Sequence, residues 1–244
     1  MRLGIFGATG RLGKAIGSAA LEDPFFTITA ALGRSSLGVD YGTFLGLSPL
    51  HLAISKSSPL PLPDLFIDVS LPEGLSERLN ISCPMVIGTT GFSEQDFSLL
   101  QEASRSIPIF YAANFSLGMA LLKKMATDLA QLFPIETDID ILETHRAGKK
   151  DAPSGSALHL AQAIKLARGE KTVEIHSLRS GQIIGEHTLQ FNHAEERLTL
   201  SHQVHSRKAF AKGALAAAQF LINKPAGLYG MDELLAEKQT KSRS

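Results

Sequence analysis

Short runs of apolar residues alternate with longer helical patterns through the first part of the chain. Five of these runs are Arg2 to Phe6, Phe26 to Leu32, Leu65 to Val69, Met85 to Ile87 and Ile107 to Tyr111. Strands of a parallel sheet with both faces covered have such continuous apolar sequences, because neither face meets water. The pattern therefore predicts an α/β sheet, with helices such as Leu12 to Glu22 between its strands.

The pattern changes in the second half of the chain. A helical stripe runs from Asn114 to Phe133, and a further helix is expected to begin with Pro153 in its first turn. Apolar residues then recur at every second position between Thr172 and Val204, which is typical of antiparallel strands with one covered face. An alanine-rich helix follows from Arg207 to Asn223. The sequence thus predicts a mixed α+β domain after the α/β domain, and the last helix could pack with either.

Composition and charge exclude several classes of function. The chain has 24 basic and 24 acidic residues, and this balance argues against broad binding to nucleic acid or to an acidic membrane surface. Cys83 is the single cysteine, so an intramolecular disulfide is impossible, which fits a reducing cytoplasm. Neither a signal peptide nor a window approaching the ~20 apolar residues of a membrane span is found. A soluble, cytoplasmic protein is expected.

A glycine-rich turn follows the first predicted strand and precedes the first predicted helix. In dinucleotide-binding folds Gly7 would permit the tight turn, Gly10 the approach of a pyrophosphate, and Gly13 close helix–strand packing. Free N–H groups at the helix start would then hold the anion. The alternative is a tight turn that binds no ligand. The predicted cofactor loop consists of Gly7, Ala8, Thr9, Gly10, Arg11, Leu12 and Gly13.

The end of the second predicted strand bears on the choice of cofactor. NAD-dependent enzymes usually place an acidic residue there, where it holds the ribose 2′-hydroxyl. This chain has Gly33 and Arg34 followed by two serines, and an arginine suits a 2′-phosphate. We therefore expect NADPH as the preferred cofactor and NADH as the second option. In the alternative interpretation, Arg34 is a solvated surface residue.

The stretch from Glu143 to Ser156 combines a histidine, two cationic groups and a helix start. A histidine can exchange a proton near neutral pH, and a lysine can donate one or balance charge. A helix N-terminus with serines suits a carboxylate. The combination predicts a pocket for an anionic substrate that gains a proton, although a plain helix cap beside a structural histidine is the alternative. The candidate residues are His145, Arg146, Lys149, Ser154, Gly155 and Ser156.

This stretch, together with segments spread over nearly the whole chain, resembles the dihydrodipicolinate reductase family of lysine and diaminopimelate biosynthesis. The family motif is Glu-x-His-His-x-x-Lys-x-Asp-Ala-Pro-Ser-Gly-Thr-Ala. The chain matches it at Glu143, His145, Lys149, Asp151, Ala152, Pro153, Ser154, Gly155 and Ala157. Further similar segments are Phe66–Asp68, Val86–Phe92, Ala112–Ser116, Gly185–Thr188 and Phe210–Ala214.

The resemblance implies an enzyme that reduces 4-hydroxy-tetrahydrodipicolinate with NAD(P)H and releases water. It implies that His145 and Lys149 form the acid/base pair, with Lys149 as the proton donor. It also implies that Ser154, Gly155 and Ser156 hold a substrate carboxylate. The nicotinamide end is expected at Gly88, Thr89, Thr90, Ala112, Ala113, Asn114 and Phe115, although a simple strand-end loop is the alternative for the first three.

The family also implies a domain organisation and an assembly. Residues 1–116 and 207–244 are expected to form a Rossmann-type dinucleotide-binding domain with a parallel sheet. Residues 117–206 are expected to form an α+β domain that binds the dicarboxylate substrate and joins the chains into a homotetramer. Two residues depart from the family motif: Arg146 stands at the second histidine, where it still suits a carboxylate, and Ser156 replaces threonine.

The sequence bears on three other interpretations. A catalytically inactive NADP-sensing protein with the same fold is the first alternative, and the presence of His145 and Lys149 argues against it. A short-chain dehydrogenase is rejected, because it needs a tyrosine four residues before a lysine and no tyrosine here has one. A metal site is not expected, since no cluster has convincing ligand spacing. The histidines of the strand region are interpreted as mostly structural or surface residues: His187, His193, His202 and His205.

Overall fold

Short buried strands form a parallel sheet in the first part of the fold. The computed structural model describes residues 1–169 and 172–241. The strands are β1 (Arg2–Phe6), β2 (Thr27–Leu32), β3 (Leu65–Asp68), β4 (Met85–Ile87), β5 (Pro108–Tyr111) and β10 (Gly227–Tyr229). They pair in parallel in the order β10-β5-β4-β3-β1-β2. Every residue of β4 is buried, which explains why its sequence is apolar throughout.

Helices lie between these strands, and a last helix follows β10. They are α1 (Arg11–Leu21), α2 (Tyr41–Phe44), α3 (Leu75–Leu79), α4 (Glu94–Ser104), α7 (Lys208–Leu221) and α8 (Met231–Lys241). Helix α1 buries Gly13, Ile16, Gly17 and Ala20. These residues recur at helical spacing and form the packed face of the helix.

Four strands form a mixed sheet in the second part of the fold, and two helices cover one of its faces. The strands are β6 (Asp138–His145), β7 (Glu174–Arg179), β8 (Glu186–Asn192) and β9 (Arg197–Gln203), in the order β7-β6-β8-β9. The helices are α5 (Leu117–Leu132) and α6 (Gly155–Arg168). Ile139 and Ile141 of β6 pack with Leu160 and Ile164 of α6 in one apolar core. The parallel sheet and this second, mixed domain confirm the predicted fold class.

The chain divides into two compact units. The first unit is Met1–Phe115 together with Phe210–Ser244, and the second is Ser116–Ala209. The first unit therefore carries the glycine-rich turn, and the second carries the stretch from Glu143 to Ser156. The expected roles of the two domains stay predictions.

The structure corrects three details of the sequence analysis. Strand β7 pairs with β6 in parallel, because α6 forms a crossover between them, whereas β8 pairs antiparallel with both β6 and β9, as expected. Pro153 precedes α6 instead of lying in its first turn, since Ser154 is the N-cap. Strand β10 and helix α8 follow the alanine-rich helix and were not predicted. Among its described side chains, α8 buries only Leu234 and Leu235, which leaves a weak apolar pattern.

Within the described part of the chain, no helix has both the length and the apolar character that crossing a bilayer requires.

Candidate active site

The carboxyl edge of the parallel sheet carries the predicted cofactor residues. The glycine-rich turn follows β1, Gly88 follows β4, and Ala112 follows β5. A cavity of about 500 Å³ opens beside β1, β2 and β3 at this edge. Of the predicted residues, it is lined by Gly7, Thr9, Gly10 and Arg34. This edge is where parallel α/β sheets bind ligands.

The glycine-rich turn has the geometry of a dinucleotide loop. Gly7 adopts a left-handed φ of +77°, and an added Cβ there would lie 2.6 Å from the carbonyl oxygen of Val69. An added Cβ at Gly13 would lie 2.1 Å from the Gly7 oxygen, so α1 can pack this closely only with glycine. Gly10 caps α1 without a side-chain hydrogen bond, which leaves the first-turn N–H groups available to an anion.

Among the remaining residues of the predicted loop, Ala8 is packed beneath the turn, whereas Arg11 and Leu12 are at least partly exposed to solvent. Ala8 is fully buried, and its N–H donates to the Leu32 oxygen at 2.9 Å. Arg11 is exposed and Leu12 is half-buried. These residues and Gly13 do not line the cavity among the described residues.

Tyr41, which the sequence analysis missed, fixes the loop from below. Its side chain is fully buried, and its hydroxyl donates a hydrogen bond of 3.1 Å to the Gly13 oxygen. Burial raises the pKa of this hydroxyl far above its usual value. Gly17 makes room for the ring, since an added Cβ there would lie 2.3 Å from the Tyr41 oxygen. The tyrosine lies 28 residues from the carbonyl that it contacts, so no local motif indicated it.

A second cation joins Arg34 on the cavity wall. Lys56 lines the same cavity, and both side chains belong to exposed residues. Two hydrogen bonds place the lysine: Ser55 accepts from the Gly33 N–H at 2.9 Å and donates to the Ala31 oxygen at 3.0 Å. Lys56 could not be identified from the sequence, because a backbone bridge between distant segments leaves no local signal.

Arg78 also lines the cavity, but its charge is already paired. Its Nε lies 2.6 Å from the fully buried carboxylate of Asp68, and its other nitrogens donate to backbone oxygens. Asp68 accepts further bonds from Ser70 and from the Thr89 hydroxyl at 3.3 Å. Thr89 thus supports the cavity wall through Asp68, and Thr90 is exposed.

Gly88 and Phe115 pack directly against each other. An added Cβ at Gly88 would lie 2.2 Å from the Phe115 ring, which is 2% exposed. Ala112 is buried, whereas Ala113 and Asn114 are half-buried. The structure therefore brings the segments after β4 and β5 together, as expected for residues that share one ligand.

In the second unit, Glu143 and His145 form a buried pair at the end of β6. The carboxylate of Glu143 is 0% exposed, and its Oε2 accepts a hydrogen bond from His145 Nδ1. Its Oε1 lies 2.6 Å from Arg179 Nη2 and accepts the Ser154 N–H at 3.2 Å. Burial alone would raise the pKa of Glu143, but hydrogen bonds from Arg179, Ser177 and His145 lower it to about 2. Glu143 is therefore ionised at neutral pH.

His145 presents its second ring nitrogen away from Glu143. An added Cβ at Gly185 would lie 3.1 Å from His145 Nε2, so a glycine at that position keeps this side of the ring clear. Burial lowers the pKa of His145, and the Glu143 carboxylate opposes this effect. The neutral imidazole is thus favoured in the absence of a bound anion.

His187 lies beside His145, with the ring centroids 5.3 Å apart and the rings nearly perpendicular. It is 3% exposed, and its Nε2 is 3.4 Å from the Ser154 hydroxyl. Burial lowers the pKa of His187 to about 4. His187, expected to be a structural or surface residue, is buried and adjoins the candidate acid/base group.

Lys149 lies in a tight turn between β6 and α6. Its N–H donates to the Arg146 oxygen at 3.0 Å, and its Nζ forms a 2.7 Å ion pair with Asp151. Its side chain is 24% exposed, whereas Lys150 is exposed. Arg146 is half-buried in the same turn. The turn therefore combines two cations with His145.

The start of α6 presents an open surface beside this turn. Ser154 is buried, and its hydroxyl caps the helix by accepting the Ala157 N–H at 3.3 Å. Gly155 is exposed, and an added Cβ there would meet no atom within 4 Å. Ser156 is half-buried. An anion can thus approach the helix start at Gly155, while Ser154 shapes it.

Glu143, His145 and His187 place ligand-type atoms within 4.8 Å of one another. Both carboxylate oxygens nevertheless already accept hydrogen bonds, and one of these comes from the Arg179 guanidinium. A fixed positive charge at this position opposes a divalent cation. The arrangement is better suited to orienting His145 than to holding a metal.

Two family models match consecutive parts of the chain. Residues 1–115 match the family model described as dihydrodipicolinate reductase, N-terminus, and residues 118–235 match the one described as dihydrodipicolinate reductase, C-terminus. The 4-hydroxy-tetrahydrodipicolinate reductase of Pseudoalteromonas translucida is 38% identical, over 96% of this chain and 97% of that protein. The one of Rubrobacter xylanophilus is 35% identical, over 97% and 98%.

A solved structure agrees with these matches. The dipicolinate-bound dihydrodipicolinate reductase from Paenisporosarcina sp. TG-14 superposes with a TM-score of 0.74 at 25% identity, over 94% of this chain and 97% of that one. The family resemblance of the sequence is thereby confirmed.

Proposed function

The chain belongs to the dihydrodipicolinate reductase family, and on this premise we propose that it reduces 4-hydroxy-tetrahydrodipicolinate to tetrahydrodipicolinate. One hydride and one proton are added, and the 4-hydroxyl group leaves as water. The step belongs to diaminopimelate and lysine biosynthesis. The observation that carries the proposal is the buried Glu143–His145 pair beside Lys149 and the open start of α6. The chain also aligns with a protein of this name over nearly its full length.

The residues of the second unit bind the dicarboxylate and supply the proton. Gly155 and Ser156 at the helix start, with Arg146 nearby, hold a carboxylate through N–H groups and charge. Lys149 is the proton donor, and His145 completes the acid/base pair. Ser154 contributes by capping the helix and donating its N–H to Glu143.

The residues of the first unit bind the cofactor, and a reduced nicotinamide supplies the hydride when bound. The left-handed Gly7 and the uncapped start of α1 fit a pyrophosphate. The packed pair of Gly88 and Phe115, with the segment from Ala112, forms the nicotinamide end of the site.

NADPH is the preferred cofactor, with NADH as the second hydride donor. Arg34 and Lys56 on the cavity wall suit a 2′-phosphate dianion. Gly33 stands where an acidic residue would hold the 2′-hydroxyl of NADH. The two cations therefore favour the phosphorylated ribose.

The protein acts in the cytoplasm as a homotetramer joined through the second unit. The sheet of that unit packs α5 and α6 on one face, while Leu142 and Leu178 on the opposite face are 39% and 59% exposed. Exposed leucines on adjoining strands suit contact with another copy of the chain. Light scattering at micromolar concentration tests this assembly, and a monomeric mass would contradict it.

The reductase proposal is tested by oxidation of NADPH in the presence of freshly generated 4-hydroxy-tetrahydrodipicolinate. Turnover that depends on both compounds is expected. The alternative of an inactive NADP-sensing protein predicts cofactor binding without turnover, and that result would overturn the proposal.

A further inference from the structure

Arg179 of β7 contacts two separate parts of the candidate substrate site at once. Its Nη2 donates to Glu143 Oε1 at 2.6 Å and to the backbone oxygen of Asp151 at 2.7 Å. Glu143 belongs to β6, and Asp151 belongs to the loop that carries Lys149. One guanidinium thus joins the strand of the candidate histidine to the loop of the candidate proton donor.

The parallel register explains how Arg179 reaches this position. Arg179 pairs with His145 across β6 and β7, and Ser177 pairs with Glu143. Paired residues of neighbouring strands share a face of the sheet, so Arg179 extends back along that face towards Glu143. Its side chain is only 17% exposed, which shields the ion pair from water.

We propose that Arg179 and Glu143 are positioning residues: the guanidinium binds the buried carboxylate, and the carboxylate holds His145 with a proton on Nδ1 and Nε2 turned outward. The loss of kcat expected on replacing either residue rests on the reductase function proposed above. The orientation of His145 does not depend on that function. A carboxylate behind a histidine fixes both the tautomer and the direction of the ring.

Titratable or charged groups face His145 from four positions. Glu143 faces it from its own strand, Arg179 from β7, His187 from β8 and Lys149 from the loop. Without Arg179, the pKa of Glu143 would rise because burial would be less fully opposed, and the protonated carboxyl group would hold the imidazole less firmly. Raising the pH would ionise Glu143 again and restore part of the arrangement.

The test compares Glu143→Gln and Arg179→Met with Arg197→Met. Arg197 is exposed on β9 of the same sheet and hydrogen-bonds Asn192, so it controls for the loss of an arginine. The ¹⁵N NMR spectrum of the His145 ring reports its tautomer without any turnover. We expect the Nδ1–H form in the full wild-type chain and in Arg197→Met, and a mixture of tautomers in the two test variants.

Kinetics supply the second readout. Both test variants should lose about 100-fold or more in kcat, as expected when the orientation of an acid/base group is lost, with a smaller change in KM. Arg179→Met should regain activity as the pH rises, and added guanidinium should restore part of it, whereas Glu143→Gln should respond to neither. A merely structural arginine would give no such difference between the two variants.

Two outcomes separate this inference from the proposed reaction. A wild-type chain without turnover removes the reaction but leaves the NMR test intact. An unchanged His145 tautomer in both folded variants overturns the positioning role. Should Arg179→Met not fold, Arg179→Lys retains the positive charge on a shorter side chain that lacks the guanidinium group. It should then lose kcat less than Glu143→Gln, and equal losses would contradict the proposal.

Discussion

The ammonium group of Lys149 lies 2.7 Å from the carboxylate of Asp151, two residues further along the same turn. The hydrogen bond from Lys149 lowers the pKa of Asp151, so the carboxylate remains ionised opposite the lysine. The neighbouring Lys150 is exposed. Two consecutive lysines therefore differ in environment, and only the first is held in a fixed geometry.

This difference predicts unequal effects of removing the two lysines. Lys149→Ala should lower kcat by about 100-fold to 10,000-fold, the range lost when a general acid is removed. Lys150→Ala serves as the matched control and should leave kcat nearly unchanged. Steady-state assays with 4-hydroxy-tetrahydrodipicolinate measure both, and comparable losses in the two variants would refute the assignment of Lys149.

Gly155→Ala separates binding at the start of α6 from folding. An added Cβ there meets no protein atom within 4 Å, so the free energy of unfolding should stay the same or rise by up to about 1 kcal/mol. The methyl group would nevertheless occupy the approach to the first N–H groups of the helix. KM for the substrate should therefore rise about 10-fold, as expected for one weakened bond to a charged group.

Leu158→Ala is the control for this variant, because Leu158 is exposed on the same helix. It should change neither KM nor the free energy of unfolding appreciably. A normal KM in Gly155→Ala would place the substrate carboxylate elsewhere.

The two cations of the cofactor cavity should act on NADPH but not on NADH. Arg34→Ala and Lys56→Ala should each weaken NADPH binding about 10-fold, because each removes a charged contact to the 2′-phosphate. Calorimetric titration with both cofactors measures this difference. Lys14→Ala is the control, since Lys14 lies over the Phe44 ring and does not line the cavity among the described residues. A preference for NADH that is the same in the wild type and in Arg34→Ala would contradict the proposed role of Arg34 in binding the 2′-phosphate.

His187 should make the stability of the protein depend on pH. Its pKa is lowered from 6.5 to about 4 by burial, so below pH 6.5 the unfolded chain takes up a proton that the folded chain does not. The free energy of unfolding should therefore fall as the pH drops from 6.5 to 4, by at most about 1.4 kcal/mol per pH unit. Above pH 6.5 this contribution is fully present and constant.

Urea unfolding of His187→Gln at a series of pH values measures this effect. The variant should lose less stability than the wild type between pH 6.5 and pH 4. His176→Gln is the control, because the His176 side chain is 62% exposed. An identical pH dependence in His187→Gln and the wild type would show that His187 does not remain neutral in the folded chain.

The sequence predicts those parts of the fold that depend on local patterns. Continuous apolar runs identify β1 to β5, because a strand buried on both faces is mostly apolar. Strand β7 shows the limit: its period-two pattern does not reveal the direction of its neighbour, which the crossover through α6 determines. Helix α8 buries two adjacent leucines among its described side chains, too few for a clear helical stripe.

In the candidate site too, some residues can be identified from local sequence and others cannot. His145 and Lys149 stand in one short motif and can be identified from residue types and spacing. Arg179 lies 36 residues from Glu143, and only strand register brings the two together. Lys56 reaches the cofactor cavity through a backbone bridge to the end of β2. Contacts of this kind depend on tertiary structure and leave no local signal.

The most direct test of the central claim is the transfer of deuterium from the cofactor to the product. NADPH that carries deuterium at the transferred position of its nicotinamide is incubated with the full chain and freshly generated 4-hydroxy-tetrahydrodipicolinate. Mass spectrometry should find one deuterium in tetrahydrodipicolinate, formed much more slowly by Lys149→Ala. Substrate-dependent oxidation of the cofactor that leaves no deuterium in this product, or no oxidation at all, would contradict the account.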